Sequence, residues 1–309
     1  MLISEIDKVV ENYRRQTSEG AFPEDRFDIL YFFYGIMEIQ AKWAQALSAE
    51  EYDVMPVDTR ENLYWSFKPM LQENPVMIDP ASYANCIEEV CAYLVENKVF
   101  EEDILAALAK INWQNVVAYS EFNLAGAAPL EYIASTAEAF SATDFAGIPA
   151  VVAQIIMAYA LRPFLEGPAR KCLSGLDLKQ GNRDNKKPCE CPVCGCVSSS
   201  SFVGNTPSSE GKGRMLYCSM CGSQWEFERI RCAKCGTQSP NDLHYFNVEG
   251  DTARRLHICG ECGDYSKTVF LEDFKGTFIF EVEDVIMGYL DDIANLPEFN
   301  PDVQNAYKN

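Results

Sequence analysis

Histidine is scarce, with His244 and His257 the only two in 309 residues. Few candidates therefore exist for a general base working near neutral pH. His244 sits in a strand-like Leu-His-Tyr-Phe run and reads as structural or surface; His257 stands two residues before Cys259. Also missing are a phosphate-binding P-loop, a Gly-x-Gly-x-x-Gly turn, a Gly-x-Ser-x-Gly elbow and a His-Glu-x-x-His helix, so no motif recommends an enzyme. Positive charge is short: 26 Lys and Arg stand against 46 Asp and Glu, for a net charge of −20. Such a chain is repelled by phosphate backbones and anionic lipid, and neither nucleic acid nor membrane insertion is expected. Long apolar runs are lacking too. The nearest, Phe145 to Leu161, contains Gly147, Pro149 and Gln154 and is short for a membrane span. The first residues, MLISEIDKVV, carry no basic region or cleavage site. A cytoplasmic location follows as an expectation, and in that reducing compartment the thirteen cysteines read as ligands rather than disulfides.

What is present divides in two. With 48% hydrophobic residues the chain can bury a sizeable core. Residues 1 to about 175 show helical spacing: Ile29, Phe32, Phe33, Ile36, Trp43 and Leu47; Ile87, Val90, Cys91 and Leu94; Leu130, Ile133, Ala137 and Phe140. An apolar run from Ile148 to Leu161 is expected to stop near Pro163 and the Glu-Gly-Pro at 166–168. Short joints such as Glu73-Asn74-Pro75 separate the segments, as in a helical bundle. Cys86 and Cys91 are five apart, about 140° around a helix, and with Cys172 read as inert buried thiols. From Gly181 the composition changes. Residues 181–187 read as a linker, serines at 198–201 and 208–209 flank a Gly-Asn-Thr-Pro that reads as an exposed loop, and ten cysteines fall between 189 and 262. Residues 181–270 carry a net +1, leaving −21 on the remainder. Trp225, Phe227 and Arg229 alternate as in a strand, 281–293 has helical spacing, and 297–309 reads as a frayed tail.

The cysteines form four Cys-x-x-Cys-Gly units, at 191–195, 218–222, 232–236 and 259–263. Two intervening residues let both thiolates reach one ion, and the glycine suits the tight turn that follows. Units one and two are separated by 23 residues, as are units three and four, whereas ten separate two from three. A shift of 41 superimposes Cys191 on Cys232, Cys194 on Cys235, Cys218 on Cys259 and Cys221 on Cys262, and also Arg214 on Arg255. This is a tandem repeat of one small module. Ligands pairing within a repeat give one site from Cys191, Cys194, Cys218 and Cys221 and another from Cys232, Cys235, Cys259 and Cys262. Pairing unit two with three and one with four is the alternative, and it breaks the repeat. Cys189 and Cys196 have Ile230 and Thr237 as counterparts and are left out of the coordination spheres. Four thiolates satisfy iron and zinc alike, and a closed set leaves no open position for a hydrolytic water. Modules this small depend on the ion for much of their folding free energy. Lys234, Arg229, Arg231, Arg254 and Arg255 are near in sequence, as offsets to thiolate charge or as plain solvated residues.

The helical half followed by CPVCG, CSMCG-SQW-x4-R-x-CAKCG, LHYF and CGECGDYSK resembles the FdhE family of formate dehydrogenase accessory proteins. The specific motifs span about 191–267; the serine-rich 197–213, Cys189, Cys196 and the tail depart from the pattern. The resemblance implies a multidomain fold, with an N-terminal all-α helical domain followed by two tandem rubredoxin-like, or zinc-ribbon-like, four-cysteine metal modules. Expected bounds are 1–180 for the helical domain, 181–230 and 231–275 for the modules, and 276–309 for a C-terminal helix and tail. It further implies a cytoplasmic, non-enzymatic assembly factor for the formate dehydrogenase catalytic subunit, with two metal ions per chain, iron or zinc, on the eight cysteines paired above. Two other functions are a rubredoxin-type iron carrier or sensor and a zinc-ribbon nucleic-acid binder, the latter opposed by the charge.

Overall fold

The computed structural model of the protein describes residues 3–47, 52–141, 148–178 and 186–296. Most of the expected linker (181–185) and the whole expected tail (297–309) lie outside them, as does the side chain of Phe140. Helices come first: α1 (Ile3–Ser18), α2 (Glu24–Leu47), α3 (Val57–Trp65), α4 (Met70–Glu73), α5 (Pro80–Glu96), α6 (Glu102–Leu108), α7 (Trp113–Tyr119), α8 (Pro129–Ser141) and α9 (Ala150–Leu173). Helix α5 shows why they form. The Asp79 side chain accepts from the amide of Ser82, Pro80 presets the first turn, and Tyr83, Ile87, Val90, Cys91 and Leu94 line one buried face.

Helix α9 is the axis of this half, packed by α2, α5 and α8. By length and composition it could cross a membrane, but 61% of its apolar window is buried inside the protein. It does not stop at Pro163; it runs through both Pro163 and Pro168 to Leu173. Pro163 has no amide to give the carbonyl of Tyr159, and the side-chain Nε2 of Gln40 donates to that oxygen at 3.0 Å instead. A neighbouring helix thus repairs the bond the proline removes. At the far end Arg60 donates to the carbonyls of Lys171, Cys172 and Ser174 at 3.1, 2.7 and 2.8 Å, capping α9 with a cation. Cys86, Cys91 and Cys172 are all buried.

The second half is one six-stranded sheet built from β1 (Ser200–Thr206), β2 (Ser209–Tyr217), β3 (Gln224–Phe227), β4 (Leu243–Asn247), β5 (Arg254–Cys259) and β6 (Tyr265–Phe270), in the order β3-β2-β1-β6-β5-β4. Each repeat supplies an antiparallel triplet, and β1 and β6 join the triplets in parallel, Ser201 opposite Thr268. Of the Gly-Asn-Thr-Pro expected as an exposed loop, Gly204 to Thr206 finish β1 and only Pro207, with Ser208, forms the exposed turn. Ser198, Ser200 and Ser201 are buried, and the Ser201 and Thr268 hydroxyls meet at 2.8 Å in the seam between triplets. Small hydroxyl side chains let two strands approach there while satisfying one another.

The helical spacing at 281–293 becomes two helices, α10 (Phe280–Ile286) and α11 (Gly288–Ala294). Their apolar faces have different destinations, which explains the break. Val282 and Ile286 enter the core of Ile6, Val9, Val10 and Leu30, whereas Met287 and Leu290 pack on Leu256 and Val269 of the sheet. Glu283, fully buried, accepts from Tyr13 at 2.7 Å and from Arg254 at 2.8 Å, tying α1, β5 and α10 together.

Candidate metal centres

Each Cys-x-x-Cys-Gly unit forms the same turn. The glycine amide returns to the first cysteine's carbonyl: Gly195 to Cys191 at 2.9 Å, Gly222 to Cys218 at 2.8 Å, Gly236 to Cys232 at 3.1 Å and Gly263 to Cys259 at 2.8 Å. All four glycines have φ between 73° and 78°, a left-handed conformation that side chains resist. The turns are set at the ends of strand pairs, so two units face each other in each triplet.

The structure brings Cys191, Cys194, Cys218 and Cys221 together, and separately Cys232, Cys235, Cys259 and Cys262, all four sulfurs of each set lying within 4.8 Å of one another. Among the described residues no set mixes cysteines of the two repeats. Facing Sγ atoms are 3.6 Å (Cys191–Cys221) and 3.5 Å (Cys194–Cys218) apart in the first set, and 3.9 Å (Cys232–Cys262) and 3.7 Å (Cys235–Cys259) in the second. Four thiolates about 2.3 Å from a tetrahedral ion stand about 3.8 Å apart. Both sets thus fit such an ion, and all eight are free thiols. Burial pushes the Cys191 thiol well up, while hydrogen bonds from Cys191 and Cys194 hold Cys218 well down. A buried group that divides protons this way is one a cation would reorganise.

The two sets differ in their surroundings. In the first, all four cysteines are buried; in the second, Cys235 and Cys262 are exposed. The helical half encloses the first. Amides of Met70 and Leu71, at the start of α4, donate to the carbonyls of Pro192 and Val193 at 3.0 and 2.9 Å. Arg162 of α9 donates to the carbonyl of Ser219 at 2.6 Å and pairs with Glu281 at 2.8 Å. Burial alone lowers its pKa, but Tyr217 and Glu281 beside it keep it above the ordinary arginine value.

Charged neighbours are distributed in ways the sequence did not announce. Arg214 is 2% exposed and is held by Ser201, Ser266 and the carbonyl of Arg231 at 3.2, 3.1 and 3.0 Å, with no carboxylate among these partners. Burial brings its pKa down to about 10, opposed by the Cys232 and Cys189 sulfurs. Of the arginines and lysine near the knuckles in sequence, Arg254 serves Glu283, Arg255 pairs with Asp273 at 2.8 Å, and Arg231 pairs with Glu228 at 3.0 Å. Lys234 donates to the carbonyl of Ser198 at 3.1 Å. Cys189 and Cys196 belong to neither set: Arg231 reaches the Cys189 sulfur at 3.4 Å, and Cys196 lies against Cys194 and Cys218. His257 belongs to neither set; burial and nearby Arg214, Arg255 and Arg229 bring its pKa to about 3, and its Nε2 has no hydrogen-bond partner.

Residues 190–229 match the family model described as FdhE, central domain. An FdhE homologue of Cronobacter sakazakii is 39% identical over 83 residues, covering 26% of each chain. One from Edwardsiella ictaluri is 38% identical over 87 residues, 28% of this chain and 27% of that one. FdhE of Salmonella paratyphi A is 36% identical over 83 residues, again 26% of each. These matches span about a quarter of the curated relatives' length. A crystal structure of the FdhE protein from Pseudomonas aeruginosa is similar at 18% identity and a TM-score of 0.47, over 84% of this chain and 81% of that one. Over this stretch, then, the chain is similar to the central domain of FdhE proteins.

Proposed function

We propose that this chain is a non-catalytic accessory factor for formate dehydrogenase, acting in the cytoplasm, that binds one metal ion in each four-cysteine set and engages the enzyme's catalytic subunit through the metal modules. The observation that carries the reading is the pair of four-thiol sets, spaced for tetrahedral ions, one enclosed by helices and one turned outward. Four thiolates leave an ion no position for substrate water, which suits recognition better than hydrolysis. Residues 1–180 then form a helical body, 181–230 and 231–275 the two modules, and 276–309 a C-terminal segment whose helix α10 is a clasp on α1. The test is recovery of the catalytic subunit on purified chain. Cys232→Ser or Cys259→Ser is expected to abolish recovery, and an undiminished yield would refute the reading. The exposed Cys235 and Cys262 also favour a second reading, an iron-based electron carrier. Metal analysis separates them: about two zinc ions per chain and no visible absorbance removes the carrier.

A further inference from the structure

The repeat provides an internal control for surfaces. Across the registered strands, Leu216, Trp225 and Phe227 lie on one face of the first triplet. They are 0%, 2% and 4% exposed, buried in the same core as the helices. The shift of 41 carries them to His257, Ser266 and Thr268. On that face of the second triplet, completed by Tyr245, Arg255 and Phe270, Ser266 and Thr268 beside the seam are buried and Arg214 donates to Ser266, whereas further from the seam Tyr245 and Phe270 enter none of the apolar cores of the described residues and Tyr245 is 63% exposed. The side chains have organised one another instead. Arg255 lies 3.7 Å from the Phe270 ring centroid, and His257 stands between Tyr245 and Phe270, 6.3 and 6.0 Å from their centroids. Strand pairing tells the same story. β1, inside the sheet, has strands on both sides, and β4, its counterpart in the second triplet, pairs only with β5.

We infer that this face and the open edge of β4 are a docking surface for an extended acidic segment of the partner polypeptide, laid against β4 as β6 is laid against β1. This deepens the proposed function and rests on it. The choice of occupant comes from charge. Arg255 is on the face, and the exposed Arg229 is close enough to act on His257. Arg255 contacts one carboxylate, that of Asp273. Residues 181–270 are net +1 in a chain whose remainder is −21, so an acidic segment is attracted here and repelled almost everywhere else. The exposed Ile230 beside Arg229 adds an apolar rim, and β5 ends at Cys259, so the outward-facing thiols adjoin the surface. A second copy of the chain is a poorer occupant, because two bodies of −20 repel.

The experiment measures affinity for the formate dehydrogenase catalytic subunit. Arg229→Glu changes an exposed residue outside the strands and is expected to keep the fold; it and Arg255→Glu are expected to weaken binding about tenfold or more, and to flatten its salt dependence. Lys8→Glu, an equal charge change on exposed α1, is expected to have little effect. In parallel, a photo-cross-linker at position 245 is expected to mark an acidic peptide of the subunit, and one at the exposed Tyr119 is not. Full affinity in both arginine variants, or cross-linking from 119 and not 245, overturns the docking face and leaves the functional reading standing. No binding by the unaltered chain refutes that reading, and the docking face falls with it.

Discussion

Gly195 and Gly263 close identical turns, at φ of 78° and 73°, in unequal surroundings. A Cβ on Gly195 would come within 3.0 Å of Pro69 Cγ, whereas one on Gly263 meets nothing within 4 Å. Alanine at either costs about 1–2 kcal/mol for the left-handed backbone, and at Gly195 roughly another 1 kcal/mol for crowding the helical half. Thermal unfolding of metal-loaded protein should rank Gly195→Ala well below Gly263→Ala; equal melting points would mean the Pro69 contact is slack. The grouping of the eight cysteines into two fours was legible because its signal is local, two residues within each pair and one repeat between pairs. Arg162 and Arg214 were not. Arg162 finds Ser219 57 residues away and Glu281 119 away, and spacing along an apolar helix says nothing of such partners.

Between elements, Glu283 makes a fully buried polar link. Its carboxylate receives Tyr13 and Arg254, and Arg254 also donates to Tyr13 at 2.9 Å, so three elements distant in sequence share one buried charge. Glu283→Ala leaves the Arg254 guanidinium with only Asp251, at 3.1 Å, as a carboxylate partner, and is expected to cost about 3 kcal/mol. Glu283→Gln, which can still accept one hydrogen bond, should cost less. Denaturant unfolding checks both, and a loss below about 1 kcal/mol would show the clasp to be dispensable. Element types in the first half were legible from apolar spacing, but their ends were not. Helix α9 outlasts two prolines because Gln40 of α2 supplies a lost hydrogen bond. The Gly-Asn-Thr-Pro at 204–207 reads as a loop by composition, yet only Pro207, with Ser208, turns the chain, because Gly204 and Thr206 pair in the hairpin of β1 and β2. The single helix expected at 281–293 divides because its two faces serve different cores.

At the scale of the molecule, the succession of helices and then sheet was legible in the change of composition, which could not say that the first triplet is embedded in the helical core and the second is not. That depends on which knuckle meets α4 and α9, a contact between segments distant in the chain. The consequence for bound ions is asymmetric loss. A chelator added to loaded protein is expected to remove about one equivalent quickly, from the exposed Cys235 and Cys262 side, with little change in helical circular dichroism. The second equivalent should leave slowly and take helical signal with it. Release of both in one phase would show that burial does not govern access. The order of the knuckles along the chain has a bearing on synthesis as well. All four thiols of the enclosed set have been made by Cys221, before Cys232 exists. A chain emerging from the ribosome folds from its beginning, so the first ion can be captured while no rival thiols are present from the second repeat. The parallel seam cannot form until β6 is complete, and it closes the sheet over a module whose choice of partners is already made.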